Sequence, residues 1–184
     1  AALTDYAREK YGDDAIVEDG RLFGTYRLRR LSAPPVTLLI LTNNKTVDVA
    51  NRGKINLPGH FLRSIAEKTD YPDFRVIVAT DGALDEGARR TLKELSGQEA
   101  AFVRTTPEFN FADKANFSLR QAKTELVVLL NDDLEVISRD WLRALVDHAR
   151  NPQVGAAGAR LLYTDGRIQH AGIALGVSGT AAHV

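Results

Sequence analysis

The chain has 184 residues, of which 44% are hydrophobic, and its 24 lysines and arginines are balanced by 24 aspartates and glutamates. This length suits one domain with a small addition, and a net charge of zero argues against bulk nucleic-acid binding. The absence of cysteine excludes disulfides and thiolate metal sites. No apolar run approaches the roughly 20 residues of a membrane-spanning helix, and no signal-peptide pattern opens the chain.

The first 33 residues predict a small αββ unit. Residues 2–11 favour a short helix that ends at Gly12, and residues 15–18 and 24–30 favour two strands around the turn Asp19-Gly20-Arg21. The segment Ser32-Ala33-Pro34-Pro35 then breaks both patterns. We therefore predict an N-terminal appendage at residues 1–33 and a main domain at residues 34–184.

From residue 36 onward, predicted strands and helices alternate. Apolar runs predict strands at residues 36–41, 74–79, 100–104 and 125–130. Helices are predicted from Pro58, over 85–95 and over 111–122, and the polar segment 42–57 predicts a long loop. This order predicts an α/β fold with a mostly parallel sheet and right-handed crossovers.

After the fourth of these strands, the pattern predicts one more helix and a hairpin. The helix runs from Ser138, its predicted N-cap, to Arg150, and it buries Trp141, Leu142, Leu145 and Val146. Residues 154–163 and 167–175 favour a β-hairpin across Thr164-Asp165-Gly166.

Small polar or acidic groups follow three of the predicted parallel strands. They are Thr42-Asn43-Asn44-Lys45, Thr80-Asp81-Gly82 and Asn131-Asp132-Asp133. Taken alone, the last of these is typical of a turn or a helix cap. In an open α/β sheet, however, ligands bind beyond the carboxyl ends of the strands, so three such ends together indicate a shared site. Acidic side chains there suit Mg²⁺ or Mn²⁺, which can carry a diphosphate.

The order and spacing of several blocks resemble family 2 glycosyltransferases of the GT-A fold, over about residues 22–178. This family is inverting and uses nucleotide sugars, and the likeness is closest to its bacterial rhamnosyltransferase and cell-surface polysaccharide branch. The blocks are Phe109-Asn110-Phe111-Ala112 with Asn116, Leu129-Leu130-Asn131-Asp132-Asp133-Leu134-Glu135-Val136, Trp141-Leu142, the segment from Val154 to Tyr163, and the segment from Asp165 to Gly172.

The resemblance implies a role for each matching residue. Thr42 would line the base and ribose pocket, and Asp81 would accept a hydrogen bond from a pyrimidine N–H. The metal would be bound by Asp133 and Asp132, and His170 would contact the sugar or the acceptor. The full donor-binding set is Thr42, Asn44, Asp81, Lys114, Asn116 and Asp132. The chain departs from the family pattern at Thr80 and Asn131, where an acid is usual, and at Ala83, where a serine is usual.

The implied reaction transfers a sugar from a UDP-, dTDP- or GDP-linked donor to a saccharide or lipid-linked acceptor, with Mg²⁺ or Mn²⁺ as cofactor. A general base must then deprotonate the acceptor hydroxyl. We expect that base beyond Val184, so this chain reads as the donor half of a longer enzyme that turns over poorly alone. Because the sequence contains no membrane-spanning segment, we expect a cytoplasmic location, at the inner face of the plasma membrane if the acceptor is lipid-linked.

Two other functions remain open at this point. A nucleotide-binding or assembly module that keeps the GT-A fold without catalysis would fit the missing base, Asn131 and Thr80. A nucleotidyltransferase would need a glycine-rich phosphate loop after the first parallel strand, and Thr42-Asn43-Asn44-Lys45 is not one.

Overall fold

A computed structural model describes residues 2–20, 22–49, 52–80, 83–96, 110–176, 179 and 181–183. Its helices are α1 (Ala2–Tyr11), α2 (Leu57–Lys68), α3 (Glu86–Ser96), α4 (Phe111–Leu119) and α5 (Trp141–Ala149). Its strands are β1 (Ala15–Asp19), β2 (Tyr26–Arg30), β3 (Val36–Thr42), β4 (Thr46–Val49), β5 (Gly53–Asn56), β6 (Phe74–Thr80), β7 (Leu126–Asn131), β8 (Leu161–Leu162), β9 (Ile168–His170), β10 (Ile173–Leu175) and β11 (Ala181–His183).

A parallel sheet of β6, β3 and β7, in that order, forms the centre of the described structure. Alternate side chains of β3 point to opposite faces, because the side-chain period of a strand is two. Val36, Leu38 and Ile40 pack with residues of α2, α3 and α5, whereas Leu39 and Leu41 pack with Ala115 of α4. Helices therefore cover both faces, which explains why β3 is buried throughout and confirms the predicted parallel α/β sheet.

The register of the central sheet brings its strand ends to one level. Thr42 of β3 pairs with Thr80 of β6, and Leu41 of β3 pairs with Asn131 of β7. The polar residues that follow these strands consequently start from the same edge of the sheet.

The N-terminal segment folds as a helix and a hairpin, with β1 and β2 antiparallel. Ala7 of α1 is buried, and side chains from β2 reach α5, where Arg27 donates to Asp140. The boundary at residue 33 stays a prediction.

The predicted loop at residues 42–57 is wrong, because most of it forms the antiparallel hairpin β4–β5. Each of its strands has four residues, and only Val47, Val49 and Ile55 supply an apolar alternation. So short a pattern is hard to distinguish from a polar loop. Gly53, the first residue of β5, has φ 71°, a backbone conformation that glycine adopts at little cost.

Two further predictions differ from the structure. The last long helix begins at Trp141 rather than Ser138: a turn precedes it, in which the Ser138 carbonyl accepts the Trp141 N–H at 3.1 Å. The hairpin at 154–175 is much shorter than predicted, because β8 has two residues and the second arm divides into β9, which pairs with β8, and β10, which pairs with β11.

The predicted strand at residues 100–104 lies outside the described residues. None of the described helices combines the length and the apolar character that crossing a membrane requires.

Candidate functional site

A cavity of about 250 Å³ lies at the carboxyl ends of β3 and β7. Four parts of the chain form it: the end of β3 and the residues after it, the start of α2, the first turns of α4, and the end of β7. Its lining residues are Leu41, Thr42, Asn43, Lys45, Leu57, Phe111, Lys114, Asn131, Asp132 and Asp133. The structure thus brings together four residues predicted for the donor or metal site, Thr42, Lys114, Asp132 and Asp133.

The Thr42 hydroxyl joins the two strand ends at this cavity. It donates a hydrogen bond to Oδ2 of Asp132 and accepts one from the Asn44 backbone N–H at 2.8 Å. The side chain is only 3% exposed. This contact fixes the first acid after β7 relative to the end of β3.

Lys114 is a buried cation, exposed to only 2%. Its ammonium donates to the Thr42 carbonyl at 2.6 Å, and Asn43 Oδ1 lies 3.5 Å away. Lys114 occupies the second turn of α4, whose N-cap Asn110 accepts the Asp113 N–H at 3.2 Å. Helix α4 therefore packs its buried face, including Ala115 and Ser118, against the end of β3.

Two carboxylates and an amide, from Asp132, Asp133 and Asn131, supply oxygen atoms to the cavity. Asp133 is exposed, and Asp132 is half-buried. Within the part of the chain that the structure describes, no three His, Cys, Asp or Glu side chains form a metal-binding group. Two carboxylates in an open cavity nevertheless fit Mg²⁺ or Mn²⁺, since such ions commonly take one or two protein carboxylates and complete their shell with water and phosphate oxygens.

Glu135 lies close to these acids in sequence but has other partners. Lys68 of α2 donates to it at 2.8 Å, and His60 and Arg52 approach within 3.4 and 3.7 Å. The hydrogen bond from Lys68 lowers the pKa of Glu135 despite some burial of the carboxylate. Glu135 is therefore an ion-paired strand-end acid, in keeping with its absence from the described cavity lining.

The remaining predicted donor contacts are placed differently. Asn44 is not among the described residues that line the cavity, and its side chain donates to the Ala83 carbonyl and accepts from Asn56 at 2.9 Å. Asn116 of α4 is exposed and is not among the described residues that line the cavity. Asp81 lies outside the described residues. The roles of these three residues stay predictions.

The cavity also contains residues to which the sequence analysis assigned no role. Phe111 is half-exposed in the first turn of α4, Lys45 follows β3, and Leu57 opens α2. The sequence carries one signal for Phe111, which is an aromatic residue directly after Asn110, the N-cap of α4. Lys45 and Leu57 carry no comparable signal, because they lie in a segment whose polar sequence predicts a loop.

His170 borders a second cavity of about 400 Å³, together with Leu161, Tyr163 and Gln169. An aromatic ring, an amide and an imidazole are groups that can contact a sugar ring and its hydroxyls. Strand pairing between β8 and β9 holds these side chains together, with Leu161 opposite His170.

Comparison with known proteins agrees with this geometry. The model of a family described as "Glycosyl transferase family 2" matches residues 59–171, more than half of the chain. Uncharacterized protein y4gI of Sinorhizobium fredii is 35% identical over 140 residues, which make up 75% of this chain and 15% of that protein. O-antigen biosynthesis protein RfbC of Myxococcus xanthus is 33% identical over 120 residues, or 65% of this chain and 9% of that protein.

A solved structure shares the fold. The mannosyltransferase PcManGT of Pyrobaculum calidifontis, determined in complex with GDP-Man and Mn²⁺, superposes with a TM-score of 0.51 and 22% identity. The match covers 84% of this chain and 41% of that one, and it confirms the predicted GT-A type of α/β fold. The chain spans only a small part of the two sequence relatives. With the family model matched across the cavity acids and His170, the chain belongs to glycosyl transferase family 2.

Proposed function

We propose that this chain is the donor-binding part of a glycosyltransferase that transfers a sugar, with inversion, from a nucleotide diphosphate sugar to a saccharide or lipid-linked acceptor. The supporting observation is the convergence of Thr42, Lys114, Asp132 and Asp133 on one cavity at the carboxyl ends of parallel strands. Cell-surface polysaccharide synthesis is the proposed context, because one relative is named as an O-antigen biosynthesis protein.

Asp133 and Asp132 are the proposed residues for binding Mg²⁺ or Mn²⁺. Bound there, the metal would neutralise the charge that develops on the leaving diphosphate. Lys45 lines the cavity just after β3, and its ammonium is a cation that could bind a diphosphate oxygen. Phe111 offers an aromatic face for the nucleotide base. Asn44, Asp81 and Asn116 complete the proposed donor contacts.

Calorimetric titration tests this function. UDP, dTDP and GDP are each added to the chain with and without Mn²⁺, and we expect at least one to bind more tightly with the metal. Asp133→Asn should remove that metal effect, since it takes away the exposed carboxylate of the cavity. Asp73→Asn is the matched control, an exposed aspartate just before β6 at the opposite edge of the sheet.

The absence of metal-enhanced binding to all three nucleotides would contradict the proposal. Binding without any transfer or hydrolysis of the corresponding sugar donors would instead support the second candidate, a nucleotide-binding module. That candidate is favoured by Asn131, which supplies a neutral amide to the cavity where the family usually has an acid.

The cavity at His170 is the proposed place for the sugar or the acceptor. Saturation-transfer NMR with methyl glycosides of mannose, rhamnose and glucose can detect such binding. We expect a signal from at least one glycoside and its loss in Tyr163→Ala, which removes the half-exposed ring of this cavity.

A further inference from the structure

Thr42 was expected to contact the nucleotide, but its hydroxyl is already engaged within the protein. A threonine hydroxyl has a single hydrogen to donate. In this structure that hydrogen goes to Oδ2 of Asp132, and the hydroxyl oxygen accepts the Asn44 N–H at 2.8 Å. With 3% of the residue exposed, little of it is left for a ligand to touch.

Lys114 is engaged on the same residue from the other side. Its ammonium donates to the Thr42 carbonyl at 2.6 Å, and 2% of the residue is exposed. A buried charge is costly unless its hydrogen bonds are satisfied. The Lys114 ammonium should therefore keep its hydrogen bond to the Thr42 carbonyl. It links α4 to the last residue of β3.

These contacts form a continuous connection from α4 through β3 to the acid that follows β7. Lys114 holds the backbone of Thr42, and Thr42 holds one oxygen of Asp132. Among the residues that the structure describes, the other oxygen of Asp132 has no hydrogen-bond partner, nor does the carboxylate of exposed Asp133. One carboxylate is therefore oriented while oxygen atoms of both acids stay available to a cation.

We propose that Thr42 and Lys114 are positioning residues, which orient Asp132 for the metal instead of contacting the nucleotide. This inference rests on the proposed function of the cavity. Partners that orient a metal ligand commonly change metal affinity 10–100-fold when they are mutated. Removing the Thr42 hydroxyl should consequently weaken metal binding by about that factor and change metal-free nucleotide binding little.

Thr42→Val tests the inference, because it removes the hydroxyl and keeps the branched shape. Mn²⁺ binding is followed by electron paramagnetic resonance, with Mn²⁺ alone and with Mn²⁺ plus GDP, UDP or dTDP, and metal-free nucleotide affinity by calorimetry. We expect Mn²⁺ affinity to fall at least about tenfold in Thr42→Val and to return in Thr42→Ser. Thr37→Val is the control, a buried threonine at the start of β3 whose hydroxyl bonds Thr124 at 2.7 Å.

Thermal unfolding checks that each variant is folded. If Thr42→Val does not fold, Lys114→Met takes its place, since it keeps the apolar stem and removes the ammonium, and the same loss of Mn²⁺ affinity is expected. Unchanged Mn²⁺ affinity in the folded variant would overturn the inference. So would a loss confined to metal-free nucleotide binding, which would make Thr42 a nucleotide contact. If the wild-type chain binds neither Mn²⁺ nor nucleotide, the proposed function itself fails. The wild-type measurements alone distinguish that result from a failure of the inference about Thr42.

Discussion

Asn44 adopts a left-handed backbone conformation, with φ 53°, just beyond Asn43 and the end of β3, the strand that supports the candidate site. Asparagine tolerates this region better than most residues, because its side chain can bond locally. Here the backbone N–H bonds the Thr42 hydroxyl, while the side chain bonds the Ala83 carbonyl and Asn56. Asn44 thereby joins β3, the hairpin β4–β5 and the segment after β6.

We expect Asn44→Ala to destabilise the protein more than Asn44→Gly does. Both lose the side-chain bonds, but only alanine pays the left-handed backbone cost of roughly 1–2 kcal/mol. Urea denaturation at pH 7 measures the two unfolding free energies. An Asn44→Ala variant at least as stable as Asn44→Gly would contradict this expectation.

At the level of single residues, the acids of the site could be predicted from the strand pattern, whereas Lys114 was implied only by the family resemblance and its burial was not predicted. Asp132 and Asp133 follow an apolar run, and the carboxyl end of a strand is where an α/β site forms. Lys114 gave no comparable signal, because lysine is almost never fully buried unless it is paired. One of its partners is the Thr42 carbonyl, a backbone group 72 residues away in the chain, which no local pattern reveals.

Helix α2 begins at a cap that also belongs to the network behind the site. Asn56 accepts the Gly59 N–H at 2.9 Å through its side-chain oxygen, and its side-chain nitrogen donates to Asn44 at 2.9 Å. Pro58 in the first turn suits this start, since its missing N–H needs no partner there. The cap thus sets both the start of α2 and the exit from the hairpin β4–β5.

Gly59→Ala, usually a stabilising change within a helix, should destabilise this protein. A Cβ at residue 59 would lie 2.9 Å from the capping oxygen of Asn56, so the cap would have to move. We expect a loss of about 1 kcal/mol, typical of a broken N-cap. Gly87→Ala in the first turn of α3 is the milder comparison: its Cβ would lie 3.3 Å from Asp85 Oδ1, which would need a smaller shift, so the change in stability should be less unfavourable. Chemical denaturation that finds Gly59→Ala as stable as wild type would contradict this expectation.

At the level of elements, predictability followed the strength of the hydrophobic pattern. The seven-residue strands β3 and β6 have continuous apolar runs and were predicted to within a residue at each end. The hairpin β4–β5 was missed because its short, half-polar strands depend on pairing with each other and on contacts with Asn44. Such dependence on distant partners is not visible in a local sequence window.

At the level of the whole molecule, charged groups attach the N-terminal segment to α5. Asp14 accepts hydrogen bonds from Arg30 at 2.7 Å and from the Ser32 N–H at 2.7 Å, and Arg150 of the segment after α5 lies 3.3 Å away. Burial alone would raise the pKa of Asp14, but the hydrogen bonds from Ser32 and Arg30 outweigh it and hold that pKa far below its usual range.

Asp14→Asn should lower stability at neutral pH by about 1–2 kcal/mol, because it replaces charged hydrogen bonds with weaker neutral ones. A depressed folded-state pKa stabilises the protein above the unfolded pKa of about 3.9, and this contribution is lost as pH falls below that value. The difference between wild type and variant should therefore begin to shrink below about pH 5 and continue to shrink as the pH falls towards the depressed pKa of Asp14. Urea melts of both proteins at several pH values measure it.

Asp13→Asn is the control for this pH dependence, since Asp13 is the exposed neighbour of Asp14. It should leave stability nearly unchanged throughout, as most surface substitutions do. A stability difference for Asp14→Asn that stays constant down to pH 3 would show that the ion pairs do not attach the segment as described.

Strands β3, β6 and β7 end at the same edge of the sheet, and this restricts which insertions and deletions the sequence can accept during evolution. Because Leu41 pairs with Asn131, deleting one residue inside β7 would bring Asp133 to the place of Asp132 beside Thr42. In that register, the side chains of the strand that follow the deletion would also turn to the other face of the sheet. Point substitutions at these ends, such as those at Thr80 and Asn131, alter the chemistry of the site without moving it. Insertions and deletions should consequently be confined to the hairpin β4–β5 and the other connections, while the lengths of β3, β6 and β7 stay fixed.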